Sequence, residues 1–462
     1  MDRRAFLGSL AGSRMAAGQP VASHPRPNVI WLIGDQHRGQ ALSCMSDPNV
    51  HTPNVDAMAH MGVNFTHAVS GFPLCCPFRG SMLTGRYPHH CVPGHEYPLP
   101  DGQPTLTQPL KVAGYRTAYF GKWHLAGFKE RTSRAALHIT DPAKRGGFDT
   151  WVGYENNNSQ YDSWVHGGAG PDAFHYRLPG YETDALTDLF LRYIRESPAD
   201  QPFFAVLSVQ PPHNPYVAPA EYMRRHNPAK LELRPNVPRV RGIDDQARRD
   251  LAGYYAEIEN WDYNVGRVLD TLREKDLLFR THVLFFSDHG DLHGSHGQFK
   301  KTAPFEEAIR IPFVISGEVP HYHGRGNGRW PIPVNHVDIA PTTLGLAGVN
   351  KPDWMEGTDY SHYRIGRQAK TTEPDSAYLQ NVIPTGHNDS TDKPYRGLVT
   401  RDGWKYVCFE GTSWLLFHLN EDRYEQANLA HNPKYRAERA RLLKRLRQWV
   451  ADTGDKFALP ES

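Results

Sequence analysis

Short apolar runs at 28–33, 117–120, 203–209, 283–286 and 312–315 have the length of single strands. Being apolar on successive positions, they suit parallel strands buried on both faces. The first ends on Gly34-Asp35, which delivers a polar residue to the carboxyl end of a strand, where open α/β sheets place their sites. Stretches with helical spacing separate the runs, so the alternation predicts an α/β fold. The longest helix is predicted over 244–277, where Leu251, Tyr254, Tyr255, Ile258, Trp261, Val265, Val268, Leu269 and Leu272 step by three and four along one face. That stripe reads as core packing. A second helix is predicted over 338–347, opening with an Asp in its first turn. Beyond about 371 the pattern shifts to short strand-like pieces at 397–400, 404–407 and 414–417, then a basic helix over 434–450. The chain is divided into a leader at 1–26, a large α/β domain at 27–370 and a small α+β subdomain at 371–462. In the last helix Leu442, Leu443, Leu446 and Val450 form an apolar face, leaving Arg436, Arg439, Arg441, Lys444, Arg445 and Arg447 as a solvated basic one.

Composition narrows the function. With 462 residues, 39% hydrophobic, the chain is long and apolar enough to bury a large core. Lys and Arg number 52 against 50 Asp and Glu, a balance that supplies no cation excess for a nucleic-acid backbone. No run of about 18 apolar residues occurs, so no membrane-spanning helix is expected. Five Cys are too few for a disulfide scaffold, and their odd number leaves at least one thiol outside any internal pairing. The start, Asp2-Arg3-Arg4-Ala5-Phe6-Leu7, followed by small and apolar residues, is similar to a twin-arginine export signal and implies a periplasmic or secreted protein. A disordered basic N-terminus is the alternative.

Cys75-Cys76-Pro77-Phe78-Arg79-Gly80-Ser81-Met82-Leu83-Thr84-Gly85-Arg86 carries the most specific chemistry. A Cys followed by a proline that can open a helix, with an Arg one turn on, sets a thiol near a helix N-terminus and a guanidinium. On C-x-P-x-R alone, an activated thiol and a structural Cys-Cys pair beside a turn are equally open readings. The extended pattern C-x-P-x-R-x-x-x-L-T-G-R, however, closely resembles the signature of the type I sulfatases, in which the first Cys is oxidised to formylglycine (3-oxoalanine) by a dedicated maturation enzyme.

The rest of that family's blocks follow in order. The stretches 28–36, 121–125 (Gly-Lys-Trp-His-Leu), 212–216 (Pro-His-Asn-Pro-Tyr), 287–291 and 296–307 resemble, in turn, the first metal strand, two pocket segments, the second metal strand and the segment of the last catalytic Lys. The resemblance implies an alkaline-phosphatase-like α/β/α sandwich with a large mixed sheet and a small antiparallel C-terminal sheet. It further implies hydrolysis of a sulfate ester by a gem-diol nucleophile derived from Cys75. Asp35, Gln36, Cys75, Asp288 and His289 would hold one divalent metal. Arg79 would steady the nucleophile, Lys122 and Lys301 would bind sulfate oxygens, His124 would be the base of the elimination step, and His213 the acid to the leaving oxygen, with Lys301 as its competitor. His95 would touch the sulfate or pack beneath the loop.

Three departures from the family pattern matter, at Gln36, at Phe78 and at His95, which stands where relatives often place an Asn. Gln36 stands where many sulfatases have an Asp, so Ca²⁺ is expected with Mn²⁺ or Zn²⁺ as alternatives. Phosphonate monoester hydrolases share this Asp-Gln and Asp-His usage, so a phosphonate or phosphate ester hydrolase is the second reading. Phe78 replaces a usual Ser, and an unmodified glycan-binding pseudo-enzyme is the third. Asn156, Asn157, Asn158, Tyr161 and Trp164 suit contact with a sugar ring or an ordinary polar loop, and an exported hydrolase is expected to meet a sulfated carbohydrate.

Overall fold

The computed structural model describes residues 26–319, 326–366, 372–387 and 389–461. The expected leader at 1–26, Arg26 apart, and the expected boundary at 370/371 fall outside them. Ten strands form one sheet: β1 (Asn28–Gly34), β2 (Val63–Phe65), β3 (Arg116–Lys122), β4 (Thr150–Tyr154), β5 (Trp164–Gly167), β6 (Phe174–Arg177), β7 (Phe203–Val209), β8 (Thr281–Ser287), β9 (Phe313–Ser316) and β10 (Gly328–Trp330). Their spatial order is β10-β2-β9-β8-β1-β7-β3-β4-β5-β6. The centre, β8-β1-β7-β3-β4, is parallel, while β9 and β5 run antiparallel to their inner neighbours.

Each central strand is buried on both sides because its successive side chains enter different cores. Val29, Trp31 and Ile33 join Phe204, Val206, Leu284 and Phe286 on one face. There the helices Cys75–Thr84 and Ile339–Leu346 cover them. Ile30 and Leu32 join Ala205, Leu207, Val283 and Phe285 on the other, beneath Pro53–Met61, Glu182–Glu196 and Arg241–Glu274. The result is the expected α/β/α sandwich. The long helix begins three residues before its predicted start and carries the predicted stripe into the core.

The C-terminal part adds an antiparallel sheet in the order β11 (Ser376–Asn381), β12 (Tyr395–Thr400), β13 (Trp404–Phe409) and β14 (Thr412–His418). The strand at 376–381 was not among those read from the sequence. The helix Arg436–Asp452 packs Leu442, Leu443 and Leu446 on one face of this sheet, and Phe305, Ala308 and Ile309 of the large domain pack on the other. The basic face is solvated as expected and partly paired, through Arg441 with Asp402 and Arg445 with Asp375. Among the described residues no helix is long and apolar enough to cross a membrane.

Candidate active site

The carboxyl ends of four central strands converge. Asp35 and Gln36 follow β1, Asp288 and His289 follow β8, Lys122 ends β3, and the loop after β7 carries His213. Cys75 is the first residue of the helix Cys75–Thr84, as the register of Pro77 and Arg79 predicts. Gln36 sits in a left-handed backbone at φ 69°. Two bonds hold it there: its N–H donates to Asp288 Oδ1 at 2.9 Å, and Tyr254 Oη donates to its carbonyl at 2.9 Å. Tyr254 thus does more than fill the core stripe.

The Cys75 sulfur lies at the centre of the cluster. It is 3.1 Å from His289 Nε2, 3.2 Å from Lys301 Nζ and 3.7 Å from Asp35 Oδ1. Burial and Asp35 push its thiol up, but Lys301, Lys122 and His289 outweigh them and hold it below the ordinary cysteine value. Asp35 is held well below the carboxylate range despite burial, by Lys122, His213, Arg79 and Lys301. Lys122 Nζ is 2.8 Å and Arg79 Nη2 3.0 Å from Asp35 Oδ2, and Arg79 also reaches Asp288 Oδ2 at 3.4 Å. All of these groups are fully buried, so the site is a water-poor cage of alternating charge.

The donor set fits a divalent cation. Asp35, Cys75, Asp288 and His289 each place one ligand atom within 4.8 Å of the others. Asp288 Oδ2 is buried with no hydrogen-bond donor and only the Arg79 guanidinium facing it at 3.4 Å, which leaves it lone pairs for a metal. The Gln36 amide oxygen turns toward the same spot, sharing Lys301 Nζ with Cys75 at 2.9 and 3.2 Å.

That amide is oriented by residues to which the sequence reading gave no role. Gln36 Nε2 donates to Asp291 Oδ2 at 2.6 Å, and Tyr216 Oη donates to the same oxygen at 2.6 Å. Lys300 Nζ stands 3.2 Å from the Tyr216 hydroxyl. Asp291, Tyr216 and Lys300 lie inside the motif blocks, yet nothing in their spacing says which neighbours they meet. Likewise Arg79 is fixed by donating to the Lys122 carbonyl at 2.7 Å and to Ser208 Oγ at 3.0 Å. Only the pairing of β7 with β3 brings those partners together.

Comparison with known proteins decides the family. The Sulfatase family model matches residues 27–349, and the model of the C-terminal region of N-sulphoglucosamine sulphohydrolase matches 294–452. The chain belongs to the sulfatase family.

This sulfatase is 33% identical over 442 residues to the ulvan-active sulfatase of Formosa agariphila, covering 94% of this chain and 82% of that one. Its structure superposes on yidJ from Bacteroides fragilis with a TM-score of 0.82 at 26% identity, covering 95% and 98% of the two chains. The phosphonate monoester hydrolase of Agrobacterium radiobacter shares the fold, at TM-score 0.75 and 22% identity over 93% and 96%.

The rim of the sulfatase pocket is rich in histidine. His124, at φ 56°, is 2% exposed, and burial followed by Lys122 and His95 holds it well below the ordinary histidine value. The His95 ring lies 5.6 Å from that of His124 and 5.3 Å from that of His387, so a residue of the C-terminal part also reaches the site. The asparagine loop makes several bonds within the protein. Asn156 and Asn158 both donate to the Glu130 carboxylate, and Trp164 Nε1 donates to Asp162. These bonds build the wall, and Asn156 Oδ1 stays buried without a hydrogen-bond partner among the described residues. Phe78 is buried in the core against Phe286 and His336. The five cysteines are free thiols.

Proposed function

We propose that this enzyme hydrolyses a carbohydrate sulfate ester with a formylglycine derived from Cys75, assisted by one divalent metal. The placement of the Cys75 sulfur, within about hydrogen-bond reach of Lys301, His289 and Asp35 at once, is the observation that carries the reading. A nucleophile on this atom is surrounded by the cations that a sulfate group needs and by the carboxylates that a metal needs. Formylglycine, as its hydrate, supplies an attacking oxygen and afterwards releases sulfate by C–O cleavage, which a serine or thiol could not do. A divalent cation held by Asp35, Gln36, Asp288 and His289 supplies charge neutralisation on the sulfate; Ca²⁺ suits the three oxygen donors, and Mn²⁺ or Zn²⁺ the imidazole.

The chain's own side chains divide the remaining work. Arg79 steadies the nucleophile, and Lys122 and Lys301 bind sulfate oxygens. His124, kept neutral by burial, accepts the proton of the elimination step. His213 Nδ1 is 2.7 Å from the Asn214 carbonyl, so it carries the ring hydrogen and leaves Nε2 facing Lys301 at 3.2 Å. Burial and Lys301 hold His213 well below its ordinary value. Its acid role therefore draws on Lys301: an anionic substrate beside the pair favours the imidazolium, and the leaving oxygen takes the proton from Nε2. His95 contacts the substrate at the rim.

The domain division at 27–370 and 371–462, export by the twin-arginine route to the periplasm or beyond, and maturation by a formylglycine-generating enzyme complete the reading. Support for a carbohydrate substrate comes from the ulvan-active relative. The test is ion-chromatographic detection of sulfate released from sulfated oligosaccharides, run beside phosphonate and phosphate esters. Sulfate release is expected; turnover confined to phosphorus esters would transfer the chain to the hydrolase reading that the shared fold keeps open.

A further inference from the structure

Cys76 adjoins Cys75 in sequence, but its sulfur meets a different set of groups. It lies 4.0 Å from His95 Nδ1 and accepts the Glu96 N–H at 3.3 Å. Cys76, His95 and His124 each place one donor atom within 4.8 Å of the other two. Both ring nitrogens of the buried His124 lack a hydrogen-bond partner among the described residues. A buried imidazole with neither nitrogen satisfied is a costly arrangement. His387, whose ring is tilted at 58° to that of His95, also carries a buried Nε2 without a hydrogen-bond partner among the described residues.

One sulfur and two or three imidazoles form a soft donor set. The neighbouring Asp35, Gln36 and Asp288 cluster is dominated by oxygen, and the two sets select different ions. We propose that Cys76, His95 and His124 form a second metal site, and that Zn²⁺ bound there shuts the enzyme. Binding breaks the S–H bond of Cys76, forms a zinc–thiolate bond and releases one proton to solvent, with no change of oxidation state. The ion ties up a His124 nitrogen, which the proposed function assigns to the elimination step, so the inhibitory half rests on that reading. The binding half does not.

Two measurements separate them. In the mature enzyme kept in excess Ca²⁺, Cys76→Ala and Cys76→Ser are expected to retain activity. The Zn²⁺ concentration for half inhibition should rise by at least about tenfold in both, as loss of a metal-site partner implies. In the Cys75→Ala chain, which has no residue to mature, Co²⁺ should give a thiolate-to-cobalt charge-transfer band in the near ultraviolet, and the band should vanish in Cys75→Ala/Cys76→Ala. Equal Zn²⁺ sensitivity of wild type and both Cys76 variants, or a Co²⁺ spectrum unchanged by removing Cys76, overturns the proposal. Failure of Cys75 maturation silences only the first measurement, leaving the second to decide.

Discussion

Lys301 Nζ stands 3.2 Å from His213 Nε2, and in the proposed mechanism this contact makes the two residues one proton-handling unit. A sugar alkoxide needs protonation to leave, whereas p-nitrophenolate does not. His213→Ala should therefore lose about 10²–10⁴ in kcat/KM on a sulfated oligosaccharide and far less on p-nitrophenyl sulfate. Equal losses on both would make His213 a sulfate-binding residue and move the acid role to Lys301.

Only Cys75 is in register with Pro77 and Arg79, and only its sulfur sits among Asp35, His289 and Lys301. Cys75→Ala should lower turnover by at least about 10³-fold without changing the thermal unfolding profile, while Cys76→Ala keeps turnover. Matching losses from the two would mean that the nucleophile has been placed on the wrong residue.

Asp291 acts through Gln36, whose amide it orients. Asp291→Asn should raise the metal concentration needed for half-maximal activity by about 10–100-fold, with kcat restored at saturating metal. A fall in kcat that no metal concentration repairs would point to a direct role for Asp291 in the chemistry.

Arg396 grips Asp455 through two bonds, Nε to Oδ2 at 2.6 Å and Nη2 to Oδ1 at 3.1 Å, joining β12 to the chain end. Burial raises the Asp455 carboxyl, but Arg396 outweighs it and holds it below the carboxylate range. A depressed carboxyl stabilises the fold fully above its unfolded pKa of about 3.9, and that contribution is lost as pH falls through the lower folded value. Asp455→Asn should cost about 3–5 kcal/mol at neutral pH, leaving Arg396 buried and unpaired. The gap between wild type and variant in urea unfolding should narrow below about pH 4. A gap independent of pH would remove the ion pair as its cause.

The strands that carry the site were legible because they are buried on both faces and therefore read as unbroken apolar runs. Edge strands such as Phe174–Arg177 are half-exposed and leave no such run, and β11, Ser-Ala-Tyr-Leu-Gln-Asn, mixes small and amide residues although all six are buried. Cys75 with Arg79, and Asp288 with His289, could be given roles in advance through their resemblance to the sulfatase blocks. Asp291, Tyr216, Ser208 and His387 could not, since their roles depend on which strand ends lie side by side. The asparagine loop left two readings open for a related reason: composition shows an amide's capacity to bond, while the fold decides that Asn156 and Asn158 donate to Glu130.

Conversion of Cys75 is the central claim, and the mass of the peptide ending at Arg79 tests it most directly. From protein co-expressed with a formylglycine-generating enzyme, that peptide should be about 18 Da lighter than its unmodified sequence, with the change located at Cys75 by fragmentation. An unshifted mass at Cys75 in protein that still releases sulfate would contradict the account.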